Sequence, residues 1–345
     1  MSVLYHLATL RPKMPQAEAI SQEISTLREQ FDGDVVHVNP NQQSALHIPR
    51  FLFGFHKLRG IRSREASLHL HHIYNPDPYP FPYLRALRRP LIYSVTCGVG
   101  DRQPNRAFFA SMAAIAVSDR RSLDRLESWG FDNVALVHPG IDTGRFSHSP
   151  LPLRSEIILM VGSAPWTRSQ FRTKGVDALL STAKQEPRLR LVFLWRGVLA
   201  DEMRHRVLRM DLDNQVTVLN RFVDVNSVLA GVHASITLAN SPGIVKSYPH
   251  SLLESLAAGK PVLVSRAIPM ADYVEQTGCG RVVDSVSPTH ILAAIESLAA
   301  KYATLRESAQ EVGHRDFSED RLVDSSRDMY ERVLGHSLSR DQGSR

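Results

Sequence analysis

A chain of 345 residues exceeds one ordinary domain and suits two of about 150 to 200 residues each. Its 43% hydrophobic and 22% charged residues belong to a folded globular protein and exclude a disordered or collagen-like chain. The net charge of +6, carried mostly by arginine, favours anionic partners, phosphate groups or a membrane surface. Nucleic acid is not expected as a partner, because no helix-turn-helix, zinc-finger spacing or basic run of the usual kinds is visible.

The opening residues 1–10 read as a first strand rather than a signal peptide, and Cys97 and Cys279 lie far apart in no metal spacing. No apolar run approaches the roughly 18 residues that span a bilayer. A cytoplasmic location, peripheral to the membrane at most, is the expectation. In chain order, strands are expected at 3–10, 35–38, 67–73, 90–95, 113–117 and 134–137. Helices are expected among them at 17–31, 82–88, 105–111 and 119–130. After a proline-containing boundary at 147–153, strands are expected at 157–161, 189–194, 216–218, 234–237, 261–264 and 280–283. The helices there fall at 175–185, 200–212, 226–230, 251–258, 270–276 and 288–309. This alternation predicts an α/β protein of two doubly wound, Rossmann-like domains, at 1–150 and 151–317. A last helix follows at 318–336, with Ser318 as N-cap and Glu319 and Asp320 in its first turn, and then a polar flexible tail at 337–345.

The most informative stretch is 246–265, where a loop runs into a short helix, Gly259 ends it and Pro261 opens a buried strand. Such a helix start, outside the carboxyl end of a strand, can offer the backbone N–H groups of His250 and Ser251 to a phosphate. Glu254, one turn in, either accepts hydrogen bonds from ribose hydroxyls or is a solvated residue of an amphipathic helix. His69, His71, His72 and Asp77 do not amount to a metal site, since only His69 and His71 share a strand face and no fourth ligand follows at useful spacing. His72 and Asn75 are read instead as strand-end contacts to an acceptor. The run 50–64 mixes three phenylalanines with five basic residues. It either lies on an anionic membrane or packs its phenylalanines inward beneath a solvated basic face.

The 246–265 stretch resembles the donor-binding segment of glycosyltransferase family 4, with its paired glutamates, small-residue helix and Gly-Lys-Pro-Val strand. Val137-His-Pro-Gly-Ile-Asp-Thr-Gly-Arg-Phe146 looks like that family's segment before the interdomain linker. Met160-Val-Gly162 with Lys174-Gly-Val-Asp-Ala-Leu-Leu180 looks like its Val-Gly-Arg…Lys-Gly motif, and the helix after Phe317-Ser318 is similar to the helix that crosses back to the N-terminal domain. The resemblance implies a GT-B fold, two Rossmann-like domains facing a central cleft. It implies a retaining enzyme that needs no cofactor or metal and moves a sugar from a UDP- or GDP-sugar to a glycan, lipid-linked or small-molecule acceptor. The N-terminal domain would hold the acceptor and the C-terminal domain the donor. By the same resemblance Glu254 meets the ribose, Lys174 the diphosphate, Gly162, His250 and Ser251 the donor phosphates, and Phe222 and Val223 the base.

Four positions depart from the family pattern. Lys246, eight residues before Glu254, stands where the first glutamate is expected, and Ser163 stands where an arginine is. Arg168 and Arg172, in the longer loop that follows, are candidates to replace that arginine. Gln16 and Ala17 occupy the N-terminal glycine pair, and Thr96 stands where many members place a histidine beside the sugar. These departures keep open an alternative: a catalytically degenerate GT-B protein that binds a sugar nucleotide or serves as a partner subunit.

Overall fold

A computed structural model describes residues 1–342 apart from 13, 16, 17, 43, 45, 196 and 197, with side chains as far as 335. It has two six-stranded sheets, and every strand pairing within them is parallel. The first comprises β1 (Ser2–Leu7), β2 (Asp32–His37), β3 (Leu70–Asn75), β4 (Leu91–Val95), β5 (Ala114–Val117) and β6 (Val134–Leu136), in the order β2-β1-β3-β4-β5-β6. The second comprises β7 (Ile157–Val161), β8 (Leu189–Leu194), β9 (Val216–Leu219), β10 (Ala234–Thr237), β11 (Val262–Ser265) and β12 (Gly280–Val283), in the order β12-β11-β10-β7-β8-β9. Strands such as Ala-Ile-Ala-Val in β5 and Ile-Ile-Leu-Met-Val in β7 are apolar at every position because helices cover both faces of a parallel sheet.

The chain divides into two compact units, Met1–Pro139 with Glu319–Arg345, and Gly140–Ser318. The division falls ahead of the 147–153 stretch. Ile141 donates its N–H to Phe317 O at 2.9 Å, and Phe146 is packed into the core of the second unit. The expected helix at 288–309 is two helices, Pro288–Ala300 and Tyr302–Asp316, interrupted at Lys301, whose ψ of 22° leaves the helical range. The last helix runs from Glu319 to Gln342, past the expected end at 336.

That last helix packs against the first unit through Tyr330, which is fully buried, meets Phe31 edge-on at 5.1 Å and places its hydroxyl 2.7 Å from His72 Nδ1. The other ring nitrogen of His72 lies 2.7 Å from Ser94 Oγ. β3 runs on to Asn75, two residues past the expected end at 73, so His72 sits mid-strand inside the core and not at a strand end; the expected acceptor contact is corrected on that ground. A second buried chain of polar groups runs Tyr83 Oη–His6–His71–Glu65, with steps of 3.0, 3.1 and 3.1 Å.

Burial holds His72 down to about 3 and His6 well below its ordinary value, and lowers His71 despite the Glu65 carboxylate beside it. Below about pH 6.5 the unfolded chain takes up protons that these folded histidines refuse, so stability is lost as pH falls from there towards 3. Thermal unfolding followed between pH 7 and pH 5 should show a falling midpoint. The slope should approach about 1.4 kcal/mol per pH unit for each such histidine and be shallower in His72→Phe.

Candidate functional site

In the second sheet the strand order reverses at β7, which is flanked by β10 and β8, and open α/β sheets bind ligands beyond the carboxyl ends of strands at such a point. β7 ends at Val161, and Gly162 follows against the first turn of the His250–Ala257 helix. A Cβ on Gly162 would fall 2.4 Å from Ser251 Cβ and 2.7 Å from its Oγ, so only glycine permits this approach. Ser251 Oγ in turn lies 3.5 Å from Thr237 Oγ1 at the end of β10. The ends of two adjacent strands and the start of a helix thus converge on one spot.

Lys174 enters the same spot from the other side. It follows the short helix Ser169–Thr173, and Gly175 turns the chain with φ +69° so closely against Leu238 that a Cβ there would meet it at 2.8 Å. The turn carries Lys174 inward. Its side chain is buried and its Nζ donates to Ala164 O at 3.1 Å. A cavity of about 140 Å³ is left between them, lined by residues 162–166, Lys174 and Val198. Lys174 brings the positive charge to this lining.

Lys246 reaches the helix start by way of the turn Pro242–Ile244. It is half-buried, and its Nζ lies 3.5 Å from Nε2 of His250, the buried first residue of the helix. Glu254, four residues further on, shares the helical face of His250 and is half-buried. Lys246 thus stands beside His250 at the helix start, with Glu254 one turn further along the same face.

Other expected site residues lie apart. Arg168 and Arg172 are exposed and do not line the cavity, because the helix between them turns Phe171 into the core, where Arg206 stacks on it at 4.2 Å. Arg168 instead faces Glu202 at 3.9 Å. Phe222 and Val223 follow β9, two strands from β7, and Phe222 is exposed; the loop ends at Asp224, which caps the helix Val225–Ala230.

In the first unit, Gln16 and Ala17 lie outside the described residues. Asn75 ends β3 but is buried, its amide donating to Tyr93 Oη at 3.1 Å and its carbonyl oxygen accepting from Arg50 at 3.0 Å. Its polar atoms serve the loop, which corrects its reading as an acceptor contact. Thr96 directly follows β4, is buried and donates its N–H to Asn75 O at 2.9 Å. Among the described residues no group of three or more His, Cys, Asp or Glu is placed to hold a metal. Sequence reasoning missed Trp166, which lines the cavity while 53% exposed; an indole in a polar loop just after a strand-end glycine was the available signal.

Residues 146–315 match the family model described as Glycosyl transferases group 1. No curated protein sequence matches. Among solved structures the chain is similar to HepE of Anabaena in complex with UDP, with 14% identity and a TM-score of 0.69, covering 95% of this chain and 99% of that one. It is similar to sucrose-phosphate synthase of Thermosynechococcus elongatus, with 14% identity and a TM-score of 0.75, covering 97% and 100%. WaaG, a glycosyltransferase involved in lipopolysaccharide biosynthesis, matches with 12% identity and a TM-score of 0.68, covering 97% and 100%. The fold is that of the GT-B glycosyltransferases, and the residues that match the glycosyl transferases group 1 model lie within the Gly140–Ser318 unit.

Proposed function

We propose that the protein is a retaining glycosyltransferase of family 4 type that moves a sugar from a UDP- or GDP-sugar to a glycan, lipid-linked or small-molecule acceptor. The Gly140–Ser318 unit holds the donor and the Met1–Pro139 unit the acceptor. The observation that carries this reading is the buried Lys174 in the cavity lining, beside a helix start that glycine brings against the end of β7. Departure of a nucleoside diphosphate builds negative charge on the leaving group, and a preorganised ammonium with oriented N–H groups stabilises that charge in a site of low dielectric. HepE structures with UDP, with UDP and glucose, and with UDP-glucose support the donor class. No metal or cofactor enters this chemistry.

A binder without turnover is the second reading, favoured by Lys246 where a carboxylate is expected. Release of nucleoside diphosphate from a panel of nucleotide sugars separates the two. Slow hydrolysis of one donor is expected, whereas saturable binding of a donor with no release over hours would leave only the binder. Within the first reading, Glu254 accepts the ribose hydroxyls. Glu254→Ala should weaken nucleotide binding by about 1.5–3 kcal/mol by calorimetry, the range for hydrogen bonds to a charged group, and unchanged affinity in a folded variant removes that role.

A further inference from the structure

The stretch 50–64 combines features of the two readings its composition allowed, with one phenylalanine buried and two exposed. Phe53 alone of its phenylalanines enters the core, stacked on Phe81 at 6.3 Å, while Phe51, Leu52 and Phe55 are 52%, 41% and 45% exposed. The alternation is built into the backbone. Gly54 has φ +84°, and a Cβ there would strike the buried Tyr83 ring at 2.4 Å, so the chain reverses between Phe53 and Phe55. On its other side Arg50 is held by the Asp77 carboxylate and lies 4.3 Å over Tyr79. Three apolar side chains are therefore presented to solvent by rigid turns rather than by a loose loop.

Basic residues follow them directly in the chain. Lys57, Arg59 and Arg62 are exposed and make no ion pair among the described residues; Arg88 and Arg89 are exposed too, and their backbone N–H groups donate to the Glu65 carboxylate just past the end of the stretch. Two acidic residues that approach this stretch are held in ion pairs, Asp77 by Arg50 and Asp34 by Arg64 at 3.1 Å, and the Glu65 carboxylate is turned into the interior, beside His71 and the N–H groups of Arg88 and Arg89. We infer that this face of the first unit is a docking surface for an anionic phospholipid bilayer. Phe51, Leu52 and Phe55 enter the interfacial region, and Lys57, Arg59 and Arg62 pair with lipid phosphates. The inference concerns membrane attachment and stands whether or not the protein transfers a sugar.

Flotation of the full chain with vesicles tests it. Vesicles of phosphatidylcholine alone should leave the protein free. Vesicles in which about a third of the lipid is phosphatidylglycerol should carry it, less strongly as salt rises. Arg59→Gln with Arg62→Gln should weaken binding about thirtyfold, the effect of two surface charges. Phe51→Ser with Phe55→Ser should weaken it at least about tenfold and abolish the part that resists salt. Circular dichroism confirms that each variant is folded. Absence of wild-type binding to the anionic vesicles, binding of either folded double variant at wild-type strength, or binding to duplex DNA with none to vesicles overturns the inference.

Discussion

Lys174→Ala should lower kcat/KM for the donor by about two to three orders of magnitude, the loss seen when one preorganised stabiliser of transition-state charge is removed. The side chain has no easy substitute. Arg168 and Arg172 are on the solvent side of their helix, and Gly175 fixes the direction in which residue 174 points. Folding should survive, since the hydrogen bond to Ala164 O is worth about 1.5–3 kcal/mol for a charged donor. The loss should discriminate between ligands: affinity for a nucleoside diphosphate should fall far more than affinity for the nucleoside, because only the former presents the charge. Equal losses for both would mean that Lys174 acts through packing.

Lys246→Glu should be as damaging. An ammonium beside a transferring sugar opposes positive charge developing there, so Lys246 suits an active enzyme only if it faces an anion. Its place beside His250, at the start of the helix proposed to meet the phosphates, favours that assignment. Reversal to a carboxylate sets negative charge against the leaving diphosphate, and turnover should fall by at least about two orders of magnitude while the melting temperature stays close to wild type, the side chain being half-buried at the surface. Turnover that appears or rises with a neutral donor sugar would instead identify the wild-type protein as a degenerate binder.

Strands were the legible part of this fold. Runs such as Ile-Ile-Leu-Met-Val in β7 are apolar throughout and end at glycine, a pattern that few other structures accommodate. Gly162 and Lys174 were singled out through the resemblance to glycosyltransferase family 4, and the structure places both in the lining of one cavity. What escaped was direction. The extension of β3 to Asn75 moved His72 from a strand end into the core, where its ring nitrogens meet Tyr330 and Ser94. Arg168 and Arg172 carried the right charge for the cavity, but burial of Phe171 between them turned both outward. Likewise, nothing in the composition of 50–64 said which phenylalanine would turn inward; the left-handed Gly54 decided it.

A crystal structure of the protein soaked with a nucleoside diphosphate bears most directly on the donor site. The diphosphate should lie within hydrogen-bond reach of Lys174 Nζ and of the backbone N–H groups at His250 and Ser251, with the ribose towards Glu254. A nucleotide bound in the Gly140–Ser318 unit with its phosphates away from both Lys174 and that helix start would contradict the account.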